Sequence, residues 1–106
     1  LIVLDAFAVV AYFRDEPAAP EVVPLLDAGA RLTAVGLAEV LEVLVRTIGV
    51  DEETAALDVA ELGLLETTHV DSRLGLAAGR LRARVYHRTR CAVSMADCIA
   101  AEAARE

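Results

Sequence analysis

At 106 residues, the chain has the length of one domain, enough to bury roughly 65% of the surface its unfolded form exposes. It is 57% hydrophobic but only 4% aromatic, with no Trp and 21 Ala, so its core must be built from Leu, Val and Ala. Ten basic residues, all Arg, stand against seventeen acidic ones for a net charge of −7, which argues against sequence-independent clamping of nucleic acid, because that affinity comes largely from cationic contacts to phosphates.

Residues 1–4 (LIVL) form an apolar, β-prone run that ends at Asp5, as a buried parallel strand ends at a crevice. Ala6 to Phe13 follows as a helix, stopped by Arg14-Asp15-Glu16-Pro17. This apolar run of eight residues is the longest in the chain and falls far short of the about 20 needed to cross a membrane. No stretch reads as a signal peptide. A second helix is predicted over residues 19–28, closed by Gly29, and a short strand over residues 31–35. Leu37, Val40, Leu41, Leu44, Val45 and Ile48 then repeat at helical spacing, with Gly49 at the position of a C-terminal cap.

Asp51 is placed to cap a helix that runs to about Leu62 and closes at Gly63. Residues 64–70, with Thr67 and Thr68 between apolar ends, read as a third strand. Asp71 caps a long helix through Leu74, Ala77, Ala78, Leu81 and Val85, and a polar turn around His87 to Arg90 leads to a last helix from near Ser94. Strands alternating with helices predict an α/β domain with a parallel sheet. The chain stops at Glu106 without a strand returning to that sheet, and a final strand is expected to be missing. The expectation is one domain over residues 1–106, without its C-terminal end.

Three carboxylates stand out. Asp5 lies where ligands bind in open parallel sheets, beyond a strand's carboxyl end, and is equally suited to cap the helix that follows. Glu39 is expected in the first helical turn after the second strand. It shares the face of Glu42 and Arg46, opposite the apolar stripe, which by periodicity alone reads as a solvated surface. Ser94 to Asp97 has the spacing of a capping box, and a carboxylate in a first helical turn is also well placed to meet a metal at the mouth of a sheet. Carboxylates and a hard cation suffice for phosphodiester hydrolysis, since the ion acidifies a bound water and orients the substrate.

Read together, these fragments resemble the PIN-domain ribonucleases, and among them the toxin subunits of bacterial VapBC toxin–antitoxin systems. Residues 1–13 (LIVLDAFAVVAYF) are similar to the opening strand, first catalytic Asp and helix. Residues 14–17 resemble the stop that often follows. Residues 33–46 (TAVGLAEVLEVLVR) are similar to the second acidic motif, with Glu39 as its acid. Residues 94–101 (SMADCIAA) resemble the third, with Asp97.

The resemblance covers the whole chain. It implies a three-layer α/β/α fold around a central parallel sheet and an endoribonuclease dependent on Mg²⁺ or Mn²⁺; the two cysteines, which form no disulfide framework, point to a reducing cytoplasm. Asp5 and Asp97 would be direct metal ligands, and Glu39 would act directly or through a metal-bound water. It also implies homodimerisation and silencing by a cognate VapB-like antitoxin whose tail occupies the active-site groove. The sequence departs from the family in three places: Phe7 stands where Ser or Thr is usual, Gly36 where Asn is common, and the fourth acidic position would fall beyond Glu106.

Arg80, Arg82, Arg84, Arg88 and Arg90 concentrate half of the basic charge ahead of Asp97, either to contact RNA phosphates or as a solvated face, with Arg82 pointing away from Arg80 and Arg84. Cys91 and Cys98 fit neither a zinc pattern nor a disulfide framework and, with Met95, are expected to pack. His69 and His87 receive no role. Two other functions match parts of the sequence. An Asp-based phosphoryl-transfer or receiver domain matches at Asp5 but normally needs a Lys, which this chain lacks. A PIN-like binding module without catalysis draws support from Phe7 and Gly36.

Overall fold

In the computed structural model, which describes residues 1–106, the N-terminal apolar run lies alongside the segment that follows Ala30. Val3 and Arg31 form a parallel bridge. The Leu4 amide donates to the Arg31 carbonyl at 2.7 Å and the Arg31 amide to the Ile2 carbonyl at 2.9 Å. On the far side of the same segment Thr33 and Thr68 bridge, also in parallel, and the Thr68 amide donates to the Leu32 carbonyl at 3.0 Å. The three segments expected as strands thus pair in the parallel sense, with the Arg31 to Thr33 segment in the middle, but only as isolated bridges.

The rest is helical: α1 (Ala6–Phe13), α2 (Ala19–Asp27), α3 (Ala34–Glu42), α4 (Glu52–Glu61), α5 (Ser72–Val85) and α6 (Met95–Ala104). Polar caps start five of these. Asp5, Thr33, Asp51, Asp71 and Ser94 each turn a side-chain oxygen onto a free amide of the first turn, satisfying a donor that has no partner within the helix. Asp71 accepts from the Leu74 amide at 2.9 Å in a half-buried setting. Asp71→Ala is expected to cost about 1 kcal/mol, read as a lower urea midpoint at unchanged m-value.

Two elements differ from the sequence reading. Thr33 caps α3, so Ala34 and Val35 are helical rather than extended, and Glu39 sits in the second helical turn, not the first. Residues 64–70 do not form a strand: the backbone turns at Leu62 to Leu65 and only Thr68 is bridged. The neighbour it needs for a longer ladder is itself turning into α3 after Thr33. The helix expected through Ile48 does continue, but as a π segment over Val43–Ile48. Four of those six residues are β-branched, the class that fits a regular α turn least well. Gly49 ends it at φ +90°, a left-handed conformation open to glycine at little cost.

The main core gathers Leu4, Val9, Val10, Val22, Leu32, Val40, Leu44, Val59 and Leu64 with small Ala residues between them. The α5/α6 pair buries Leu74, Ala78, Cys98 and Ala103 and meets the remaining helices through α6 against α3. Arg82 ties this pair to the chain before α6, donating to the Val93 carbonyl at 3.0 Å and lying over the Tyr86 ring at 4.3 Å. Of the three side chains expected to pack, Cys98 is buried, whereas Cys91 and Met95 are exposed. Cys91 belongs to the polar turn, where its backbone bridges His87, and Met95 opens α6 on its solvent side.

Candidate active site

α1 and α6 both pack on α3, and the start of each carries a carboxylate. Asp5 caps α1, accepting the Phe7 amide on one oxygen at 2.8 Å. Asp97 is the third residue of α6 and completes the capping box: its amide donates to Ser94 Oγ at 3.0 Å, and one of its oxygens accepts the Ser94 amide at 3.2 Å. At both residues the cap therefore fixes the side chain. Each carboxylate commits one oxygen to its cap and keeps the other free of any N–H donor. Asp97 is the acid whose charge acts on Asp5.

This arrangement raises the proton affinity of Asp5. Loss of water around the carboxyl is the largest cause. The Phe7 amide opposes it by favouring the anion, and the neighbouring Asp97 raises the value again through its charge and through a shared hydrogen bond. Glu39 is half-buried on α3, and its affinity for a proton is raised first by desolvation, then by Asp97, Asp5 and Glu42. It feels both aspartates, yet it makes no hydrogen bond to either. Glu42, the other acid nearby, is held in an ion pair with Arg46 at 2.8 Å.

The three sequence-predicted acids thus share one region as a close pair with a third carboxylate set back. No group of three or more His, Cys, Asp or Glu side chains is gathered tightly enough to enclose a metal ion. The donor chemistry nevertheless fits a hard divalent cation. Asp5 and Asp97 each keep one oxygen without an N–H donor, and Mg²⁺ characteristically takes one or two protein carboxylates and keeps several waters.

Beside the pair, α1 and the α3–π helix flank a cleft of about 260 Å³ lined by Phe7, Val10, Val43, Glu39 and Glu42, with Ser94 at its edge. The sequence marked Phe7 only by the hydroxyl it lacks; its position in the wall of this cleft depends on how α1 meets α3. Gly36 is buried beneath the Leu32 and Thr33 side chains, its amide held by Thr33 Oγ1 at 3.0 Å, so position 36 serves the α3 cap. Of the arginines ahead of Asp97, Arg82 is tied to Val93 and Tyr86. Arg80, Arg84, Arg88 and Arg90 are exposed and form no ion pair.

The chain belongs to the PIN-domain family, whose model, described as PIN domain, matches residues 2–106. PIN domains have an α/β fold, are generally nucleases and typically use divalent metal ions. No curated protein matches the chain. No helix is long and apolar enough to cross a membrane.

Proposed function

We propose that this chain is a divalent-metal-dependent endoribonuclease of the VapC toxin type, with a three-layer α/β/α organisation around a parallel sheet. Asp5 and Asp97 would hold Mg²⁺ or Mn²⁺ directly, and Glu39 would act directly or through a metal-bound water. The observation that carries this reading is the approach of the Asp5 and Asp97 carboxylates, each with one oxygen free of N–H donors.

When bound, the cation would acidify a water and neutralise phosphate charge. The chain's own residues supply the rest. The caps at Asp5 and Asp97 hold both carboxylates before any substrate arrives, and preorganised charge needs no rearrangement during the reaction. Two helix N-termini, each the positive end of a peptide dipole, offset part of the repulsion between the acids. Glu39, with its raised proton affinity, is suited to accept a proton from a water at the edge of the pair. Exposed arginines without ion pairs offer phosphate contacts that offset a net charge of −7. A VapB-like antitoxin and a second copy of the chain are the partners of this reading.

One observation favours the second reading, a PIN-like binding module. Phe7 is 73% exposed beside the carboxylates, at the position where a metal-supporting hydroxyl is usual in the family. Metal removal separates the two. Single-stranded RNA incubated with the chain is expected to be cut internally in Mg²⁺ or Mn²⁺, to stay intact in excess chelator, and to be cut again when the cation is restored. Cleavage that persists in chelator overturns metal dependence, and intact RNA under every condition supports the binding module.

A further inference from the structure

We propose that Phe7 is a stacking platform for one nucleobase of the RNA substrate, seated in the cleft beside the Asp5–Asp97 pair. The inference rests on the nuclease reading above and adds the residue that positions the substrate there.

The chain has four aromatic residues, and three are already engaged. Tyr12 and Phe13 meet edge to face with ring centroids 5.5 Å apart, and Tyr86 carries the Arg82 guanidinium at 4.3 Å. Phe7 has no aromatic or cationic partner and is the most exposed large hydrophobic residue, at 73%. Its amide is anchored to the Asp5 carboxylate at 2.8 Å, so Phe7 and the proposed metal ligand belong to one helix start.

Size and charge select the occupant. At about 260 Å³ the cleft lies just under the roughly 300–1,000 Å³ of pockets for drug-sized ligands, which suits a single planar ring system. Val10 and Val43 give it an apolar lining, while Glu39 and Glu42 stand at its polar side. Those carboxylates repel a phosphate and tolerate a neutral ring. The nucleotide is thereby oriented, with its phosphodiester at the carboxylate pair where a cation compensates the charge, and its base against Phe7. Single-stranded RNA presents unstacked bases for this kind of contact.

Because the chain contains no Trp, Phe7→Trp places a unique fluorophore on the platform. Titrating this variant with short single-stranded RNA, with Ca²⁺ in place of Mg²⁺, is expected to quench its emission. An abasic oligonucleotide of the same length should not. In steady-state cleavage with Mg²⁺, Phe7→Ala should raise KM by about fivefold to 150-fold, the range of base–aromatic stacking, with little change in kcat, and Phe7→Tyr should restore KM. Equal quenching by the abasic chain, or no quenching by RNA, overturns the platform and leaves the cleft to a protein partner. An unchanged KM for Phe7→Ala in an enzyme that still cuts RNA also overturns it while the nuclease reading stands. Selective quenching by RNA without cleavage supports the platform and removes the nuclease reading.

Discussion

Asp5→Asn and Asp97→Asn are each expected to lower Mg²⁺-dependent RNA cleavage by roughly a hundredfold or more, the order seen when a single preorganised charge-stabilising group is removed. Asn caps a helix as well as Asp does at position 5, and at position 97 an Asn side-chain oxygen can still accept the Ser94 amide, so both amide contacts survive and the loss reports the missing negative charge. Glu39→Gln should retain more activity, because Glu39 stands back from the pair and makes no hydrogen bond to either aspartate. Single-turnover cleavage of a labelled RNA distinguishes the three. Near-wild-type rates for both aspartate variants would remove the pair from the chemistry.

Two of these positions, Asp5 and Glu39, carry a stability signature of opposite sign. Asp5 and Glu39 bind protons more tightly in the folded chain than is ordinary for carboxyls, because burial and neighbouring acids disfavour their anions. Below the ordinary carboxylate range both the folded and unfolded chains hold these protons, and the site costs nothing. As pH rises through that range and past the raised folded values, the unfolded chain ionises more readily and stability is lost. Without metal, Asp5→Asn is therefore expected to raise the Tm at neutral pH, with the gain disappearing in acid. Adding Mg²⁺ should raise the Tm of the wild-type chain and leave the variant nearly unmoved. Thermal melts at two pH values, with and without cation, check both signs.

Leu32→Ala has the largest expected effect on stability. Leu32 is fully buried at 0% exposure, lies between the two parallel bridges, and its carbonyl receives the Thr68 amide at 3.0 Å. Truncating a buried Leu costs about 2–5 kcal/mol, against a total of roughly 5–15 kcal/mol for a typical domain. Chemical denaturation followed by circular dichroism should show a midpoint reduced by a third or more. Leu57→Ala makes the control: its side chain is 59% exposed, and its cost should stay within about 0.5 kcal/mol. Equal losses at both positions would show that the core is not centred on the bridged segment.

Much of the helical layout was legible in the sequence, because its signals are local. Asp51, Asp71 and Ser94 each bond an amide three residues ahead, and Gly49 ends its helix in a conformation few other residues adopt readily. Such contacts form within one turn and owe nothing to distant chain. The carboxylates were legible unequally. Asp5 announced itself by ending an apolar run, Asp97 by its capping box, and Glu39 mainly through the family likeness.

Tertiary structure decided what depends on chain brought from far away. A strand exists only where a neighbour pairs with it, and residues 64–70 found a partner only at Thr68, since Thr33 was already starting α3. Periodicity could not show that Glu39 sits a turn deeper in its helix than its distance from an expected strand suggested, because that distance depends on where the cap falls. Nor could it separate Cys98, packed between α5 and α6, from the exposed Cys91. The approach of Asp5 to Asp97 and the placing of Phe7 beside them arise where α1, α3 and α6 meet. The sequence by itself determined which acids were available and how their helices begin; the packing of those three helices brought the acids into one region and left one unpartnered ring in the wall of the cleft beside them.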